Sequence, residues 1–259
     1  MAGIGEIRTK SDSMSGVSAK MFGKSVKVIA SAFFLLLSLT AVSQAAGKSI
    51  VVIGDSLADG LYTGLYSLLK SDDATSVDKK TRISTGLVRY DKYDWLAAVD
   101  QIARARRYDT AIVSFGANDL ISFRTHKGPV HYKYQDERWA GLYGDRVGEI
   151  VRTLRAGGMK VYWVGLPISR KDRYQRDYAF LNTIMQKAAT AQGAHYIDTW
   201  SAFAVNGAYS DYGTDINGKA IVLRASDGVH FTGEGYISYA KVVMDAVDAG
   251  VPGFRSSLN

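Results

Sequence analysis

The chain has 259 residues, 47% of them hydrophobic and 22% charged, a composition that is typical of globular proteins and excludes a largely disordered chain. It contains no cysteine, which excludes disulfides, a thiol nucleophile and any cysteine-based zinc or iron–sulfur site. The formal net charge is +7, but five basic and two acidic side chains lie in residues 1–45, so the rest of the chain carries about +4, too little to indicate nucleic-acid binding.

Residues 1–45 have the pattern of a secretory signal peptide. Three lysines precede an apolar run over residues 28–42, and a small-x-small sequence ends at Ala45. The run is shorter than the roughly 20 residues that a membrane-spanning helix needs, so we predict cleavage rather than an uncleaved anchor. Translation can also begin at Met14 or Met21. We therefore expect a periplasmic or secreted bacterial protein without a stable membrane span.

The remaining residues, 46–259, are predicted to form one domain in which short β-rich runs alternate with longer amphipathic segments. Strands are predicted at residues 49–53, 81–85, 110–115, 160–167 and 194–200. Helices are predicted from the first strand to about Lys70, and at residues 95–107, 139–155, 174–192 and 233–249. This alternation predicts a doubly wound α/β domain with a mostly parallel five-stranded sheet flanked by helices. Ligands bind such sheets at the carboxyl ends of the strands, where three motifs fall.

The first motif is GDSLADG, residues 54–60, directly after the first strand. A serine at position 56 lies on a strand-to-helix turn, close to backbone N–H groups that can stabilise an oxyanion. Alternatively, Asp55 or Ser56 only caps the helix. The motif is not a G-x-S-x-G elbow, and it is not the G-x-G-x-x-G of a dinucleotide site, so we predict no cofactor.

The second motif is DGVHFTGEGY, residues 227–236, before the last helix. A nucleophilic serine needs a base, and the base needs a carboxylate that orients it. Asp227 and His230 are three residues apart, so both side chains can face one site. The alternative is that His230 is a surface or capping residue.

The third motif is GAND, residues 116–119, after the third strand. An asparagine amide at the end of a strand is a suitable oxyanion donor, which makes Asn118 a candidate; the alternative is an ordinary Asn-Asp turn. The acidic residues Asp55, Asp59 and Asp119 have no recognisable metal-ligand spacing, so we predict no metal site.

In this order, the three motifs together with Gly86 after the second strand resemble the SGNH (GDSL-type) hydrolase family. The resemblance covers residues 48–249, and the segment 84–95 is similar to an exported bacterial subgroup of SGNH-like envelope proteins. The chain departs from the commonest pattern in two ways: Phe231 stands where proline is frequent, and the second block lacks an obvious asparagine.

The resemblance implies a flavodoxin-like SGNH fold and a role for each motif. Ser56 is the nucleophile, His230 the base and Asp227 its orienting carboxylate. The oxyanion hole consists of the backbone N–H groups of Ser56 and Gly86 and the side chain of Asn118.

We therefore predict an exported serine esterase that hydrolyses acyl esters, in particular O-acetyl esters on an envelope glycan. Alternatives are an O-acyltransferase with the same triad and a non-catalytic glycan-binding envelope protein. The partner is an acylated glycan or a small ester. Segments 120–137 and 206–226 are predicted as substrate walls, with Tyr132 and Tyr134 stacking on sugar rings. The alternative is that these aromatic side chains only cover the core.

Overall fold

The computed structural model describes residues 48–124 and 131–250; the predicted leader, residues 1–45, lies outside them. The strands are β1 (Lys48–Gly54), β2 (Thr75–Thr81), β3 (Thr110–Ser114), β4 (Phe123–Arg124), β5 (His131–Tyr132), β6 (Lys160–Val164), β7 (His195–Ile197), β8 (Ala204–Val205), β9 (Ala208–Tyr209), β10 (Tyr212–Thr214) and β11 (Ala220–Val222). The helices are α1 (Ser56–Leu69), α2 (Trp95–Ala105), α3 (Glu137–Ala156), α4 (Asp172–Ala191), α5 (Thr199–Ala202) and α6 (Gly233–Gly250).

The central sheet has five strands, all parallel, in the order β2-β1-β3-β6-β7. The strand order reverses direction at β1, which creates a switch point between β1 and β3. The predicted doubly wound α/β architecture with a five-stranded sheet is confirmed. No helix in the part of the chain that the structure describes is long and apolar enough to cross a membrane.

The middle strands are continuously apolar because helices cover both faces of the sheet. In β1, Val51 and Ile53 belong to the core under α2, α3 and α4, whereas Ile50 and Val52 belong to the core under α1 and α6. All four side chains are fully buried. In a strand that is buried on both faces, apolar residues do not alternate with polar ones. This is why the apolar run at residues 49–53 predicted β1 correctly.

The predicted second strand at residues 81–85 is wrong, because β2 occupies Thr75–Thr81 and the chain leaves the sheet after it. This strand lies at the edge of the sheet and reads TSVDKKT, with Val77 as its single apolar residue. Edge strands often carry charged residues that prevent pairing with other chains, so their pattern does not look like a core strand. The backbone of Ser84 has a φ of 61°, which is incompatible with an extended strand.

Smaller differences concern the ends of elements and the loops. The predicted strand at residues 194–200 ends early, because Asp198 accepts a hydrogen bond from the N–H of Trp200 (2.9 Å) and begins the short helix α5. Of the two predicted substrate walls, segment 120–137 contains the antiparallel pair β4–β5, and its residues 125–130 lie outside the described ones; segment 206–226 contains β9, which pairs with β8 just before it, and the pair β10–β11.

Helices α1 and α6 pack closely on one face of the sheet. A Cβ atom on Gly64 of α1 would lie 2.0 Å from the backbone carbonyl oxygen of Tyr236 in α6, and one on Gly60 would lie 1.9 Å from the ring of the same tyrosine. Only glycine permits this approach. Because Ser56 begins α1 and His230 lies just before α6, the packing of these two helices brings the first and second motifs together.

We expect Gly64→Ala to lower the free energy of unfolding by about 1–3 kcal/mol, because the new methyl group overlaps a helix backbone that cannot rotate away. The matched control is Gly141→Ala in α3, where an added Cβ meets no atom within 4 Å. Alanine favours helix more than glycine, so this control should gain up to about 1 kcal/mol. Urea unfolding of both variants measures the difference. Equal stability of Gly64→Ala and the wild type would contradict the close packing of α1 on α6.

Candidate active site

Ser56 lies at the carboxyl end of β1, on a turn that requires glycine before it. Gly54 has a φ of 149°, and a Cβ there would lie 1.8 Å from the carbonyl oxygen of Ser114. Asp55 is the N-cap of α1, and its side chain accepts a hydrogen bond from the N–H of Leu57 (3.0 Å). The capping alternative therefore applies to Asp55. Ser56 is the first helical residue, so its N–H is one of the four that a helix leaves unpaired.

The Ser56 hydroxyl contacts His230, and His230 contacts Asp227. The distance from Ser56 Oγ to His230 Nε2 is 2.8 Å, and that from His230 Nδ1 to Asp227 Oδ2 is 2.6 Å. The other carboxylate oxygen, Asp227 Oδ1, accepts the backbone N–H groups of Val229 and His230, both at 2.9 Å. The structure thus brings together the three side chains that the first two motifs predict, in one hydrogen-bonded row.

The surroundings keep Asp227 ionised. Partial burial opposes ionisation, but the hydrogen bond from His230 and the N–H groups of Val229 and His230 outweigh it and lower the pKa of Asp227 to about 2. A carboxylate with this pKa is negatively charged at any pH near neutrality. It can therefore accept a hydrogen bond from a protonated Nδ1 and orient the imidazole ring towards Ser56.

Two arginines outside the sequence motifs donate hydrogen bonds to the turn that carries His230. Arg224 is 3% exposed and donates from Nη2 to the carbonyl oxygen of Val229 (2.9 Å). The backbone N–H of Arg170 donates to the carbonyl oxygen of Gly228 (3.0 Å). A side chain at Gly228 would collide with Arg170, and its φ of 69° also favours glycine. The position of His230 therefore depends on contacts outside its own segment.

The remaining candidate donors lie in the loops after β2 and β3, the two strands that flank β1. The side-chain amide of Asn118 donates to the carbonyl oxygen of Thr85 (2.9 Å), directly before Gly86. The hydroxyl of Thr85 in turn accepts from the indole N–H of Trp95 (3.0 Å). An amide nitrogen carries two hydrogens, so Asn118 keeps a second N–H for another acceptor. Asn118 thus links the loop after β3 to the loop that contains Gly86.

Asp119, the last residue of the third motif, has a clear structural role that sequence analysis missed. It is fully buried and accepts the N–H groups of Leu87 and Val88 and the hydroxyl of Tyr143, all at 3.0 Å. A Cβ on Gly86 would lie 2.1 Å from its carboxylate. Burial raises the pKa of Asp119, although these N–H groups favour the charged form. Asp119 therefore fixes the backbone segment that begins at Gly86.

Arg146 of α3 supports the same segment from the other side. It donates to the carbonyl oxygen of Leu87, and its guanidinium group lies 3.7 Å from the ring centre of Tyr90 and 4.5 Å from that of Phe123. No sequence motif indicates this role, because Arg146 acts on a segment 59 positions before it in the chain.

Tyr132 and Tyr134, the predicted sugar-stacking residues, are both partly buried against the core. The ring of Tyr132 lies 6.4 Å from that of Phe123. The ring of Tyr134 meets Trp139 edge-on at 5.0 Å, and its hydroxyl group is buried. These contacts favour the alternative that Tyr134 covers the core. A contact of Tyr132 with substrate stays a prediction.

The chain was compared with protein families and with known proteins. Residues 49–246 match the model of a family described as "Protein of unknown function (DUF459)". A search of curated proteins found no match.

Three solved structures illustrate the likeness in fold. A GDSL-like lipase from Bacteroides thetaiotaomicron is 15% identical, with 85% of this chain and 98% of that one covered and a TM-score of 0.54. An acetylxylan esterase from Geobacillus stearothermophilus is 16% identical, with 78% and 94% covered and a TM-score of 0.57. An α/β hydrolase from the metagenome of Lake Arreo is 17% identical, with 78% and 95% covered and a TM-score of 0.56. The predicted SGNH-like fold is confirmed by these matches.

Asp55 should make the stability of the protein depend on pH. Burial raises the pKa of Asp55 to about 7, although the N–H group of Leu57 opposes this. An unfolded aspartate has a pKa of about 3.9, so the folded state binds this proton more tightly and loses stability as the pH rises from about 4 to about 7. Asp55→Asn cannot ionise. Relative to the wild type, we expect its free energy of unfolding to increase between pH 5 and pH 8 by on the order of 1–4 kcal/mol.

Urea unfolding at several pH values measures this difference, and Asp59→Asn is the matched control. The pKa of Asp59 is lowered: partial burial opposes ionisation, but hydrogen bonds from Thr81 and Lys79 outweigh it. Asp59 is therefore ionised in both the folded and the unfolded state above pH 5. The free energy of unfolding of Asp59→Asn should differ from that of the wild type by the same amount at every pH between 5 and 8. A constant difference for Asp55→Asn as well would mean that Asp55 is ionised in the folded protein.

Proposed function

This chain belongs to the family described as "Protein of unknown function (DUF459)", and we propose that it is an exported serine hydrolase that cleaves acyl esters. The observation that carries the proposal is the hydrogen-bonded row from Ser56 Oγ through His230 to Asp227, with contacts of 2.8 and 2.6 Å. A serine that contacts a base, which is in turn oriented by a carboxylate, is the arrangement that nucleophilic catalysis requires.

In the proposed reaction, Ser56 Oγ attacks the carbonyl carbon of the ester while its proton moves to His230 Nε2. The carbonyl oxygen becomes an oxyanion. His230 then gives the proton to the alcohol oxygen, which leaves as the C–O bond of the ester breaks. Asp227 holds the other ring nitrogen protonated and stabilises the imidazolium. Water then attacks the acyl carbon and gives a proton to His230. The bond between the acyl carbon and Ser56 Oγ breaks, Oγ takes the proton from His230, and the carboxylic acid leaves.

The proposed oxyanion donors are the N–H groups of Ser56 and Gly86 and the amide of Asn118. Their arrangement is supported by the topology, since they follow β1, β2 and β3, which are neighbours in the sheet. The bond from Asn118 to the carbonyl of Thr85 adds a direct link between two of these loops. Fixed donors of this kind lower the barrier because they need no reorientation as charge develops.

The proposed substrate is an O-acetyl ester on an envelope glycan. The signal-peptide pattern of residues 1–45 supports action in the periplasm or outside the cell. One protein of similar fold is an acetylxylan esterase, which agrees with an acetylated glycan without establishing it. Transfer of the acyl group to a sugar hydroxyl uses the same triad, but no described feature favours it over hydrolysis. The intact row of side chains argues against a purely non-catalytic role.

The proposal is tested with a fluorophosphonate probe and with p-nitrophenyl acetate. We expect the probe to label Ser56 alone, and Ser56→Ala to lose both labelling and hydrolysis. The control is Ser226→Ala, which removes an exposed hydroxyl from the loop next to Asp227. It should keep both activities. Mass spectrometry of the labelled peptide identifies the site, and an adduct on another serine or no adduct at all would refute the assignment.

A second test concerns Asn118. We expect Asn118→Ala to lower kcat by roughly 10²–10³-fold with a smaller effect on KM, which is the usual loss for one oxyanion donor. Steady-state kinetics with p-nitrophenyl acetate measures the two constants, and a thermal melt checks that the variant is folded. An unchanged kcat would show that Asn118 has only a structural role, through its hydrogen bond to the carbonyl oxygen of Thr85.

A further inference from the structure

A groove of about 440 Å³ lies along the edge of the sheet, between β2 and α2, and Ser56, Asp227 and His230 are not part of its lining. This volume falls in the range of roughly 300–1,000 Å³ that is typical of ligand clefts. Its polar lining includes Lys80, Arg82, Tyr93, Gln101, Arg107 and Tyr108. These residues come from two segments, 79–82 and 93–108, so the groove is a product of the fold and not of one charged stretch of sequence.

The groove is cationic because its lining includes Lys79, Lys80, Arg82 and Arg107 but no aspartate or glutamate, although Lys79 pairs with Asp59 (3.0 Å). Lys80, Arg82 and Arg107 are exposed, and none of them forms an ion pair with a carboxylate within the described ranges 48–124 and 131–250. The nearest acidic side chain on β2, Asp78, accepts the hydroxyl of Tyr108 (2.7 Å). The guanidinium group of Arg82 stacks 4.5 Å from the ring centre of Tyr93, which fixes one charge in place.

One end of the groove lies at the carboxyl end of β2, where Arg82 leads into the loop that contains Gly86. The N–H of Arg82 donates to the carbonyl oxygen of Gly54 (2.9 Å), two residues before Ser56. The carbonyl of Arg82 accepts the hydroxyl of Thr85 (2.6 Å). Trp95 lines the groove and also donates its indole N–H to Thr85. A chain lying in the groove therefore ends next to the loop that contains Gly86.

We propose that the groove binds an acidic polysaccharide whose acyl ester is presented to Ser56. The proposal rests on the ester hydrolase function above and adds the substrate class to it. A polyuronate carries both the carboxylates that pair with Lys80, Arg82 and Arg107 and the hydroxyl groups that bear acyl esters. The outer edge of β2 adds backbone N–H and C=O groups, since a strand at the edge of a sheet leaves one side unpaired.

Lysines on an edge strand also have a simpler use, because they prevent the edge from pairing with other chains. Arg107 lies outside the strand, and the groove extends from the strand to α2, which that use does not require. If the cations only prevent the edge of the sheet from pairing with other chains, their removal should not change polysaccharide binding. Binding measurements can therefore separate this role from the proposed one.

The test measures binding of polygalacturonate to the full chain by isothermal titration calorimetry. We expect the wild type to bind polygalacturonate but not neutral dextran, and to bind more weakly as salt increases. The double variant Lys80→Gln/Arg107→Gln should weaken binding about two- to thirtyfold, as the loss of two exposed ion pairs predicts. The matched control, Lys70→Gln/Lys187→Gln, removes two exposed charges outside the groove and should bind like the wild type. Thermal melts establish that both variants are folded.

Three outcomes would overturn the groove proposal: no binding of polygalacturonate by the wild type, equal weakening in the two double variants, or no weakening in either. Tighter binding of a single-stranded DNA oligonucleotide that is lost in Lys80→Gln/Arg107→Gln would also overturn it, in favour of a nucleic-acid surface. Failure of the hydrolase is visible separately. The wild type could bind polygalacturonate through the groove without hydrolysing p-nitrophenyl acetate. That result would refute the proposed ester hydrolysis and support the glycan-binding surface.

Discussion

The contact between α1 and α6 determines where the two halves of the candidate site meet. Ser56 and His230 are 174 positions apart in sequence, yet their side chains lie 2.8 Å from each other. Each is adjacent to the start of one of these helices, and the helices approach so closely that Gly64 has no room for a side chain. A helix is stiff, so any shift of α6 along α1 would move the imidazole away from the hydroxyl. The reactive geometry is thus a consequence of backbone packing more than of the residues around the hydroxyl.

Buried carboxylates organise the backbone on both sides of Ser56. Asp55 caps α1, and Asp119 holds the segment after Gly86 through the N–H groups of Leu87 and Val88. Burial raises the pKa of both acids, which shows that the fold places them where charge is unfavourable. In these buried positions the two carboxylates order the backbone around them. The N–H groups that we propose as oxyanion donors are thus held in place by Asp55 and Asp119, whose side chains are fully buried.

Sequence reasoning located the elements with a buried, regular pattern and missed those that depend on the surroundings. The run at residues 49–53 is buried on both faces, and it identified both the inner strand β1 and the position of Ser56 after it. Strand β2 is polar because it lies at an edge, and nothing in its own residues distinguishes it from a loop. Asp119 acts through residues more than 30 positions away, and Arg224 acts through backbone carbonyl groups that any residue can offer, so no motif indicates either of them. Motifs report the chemistry of a site, whereas its supports appear only in three dimensions.

The order of the elements along the chain has a consequence for biosynthesis. Helix α1 with Ser56 is made early, and α6, which positions His230, is the last described element to leave the ribosome. Until α6 docks, the apolar face formed by Leu61 and Leu65 lacks its cover, and the hydroxyl has no base beside it. The 2.8 Å contact between the Ser56 hydroxyl and His230 therefore forms only when almost the whole chain has been made, so a chain that ends before α6 carries the serine of the candidate site without its partner.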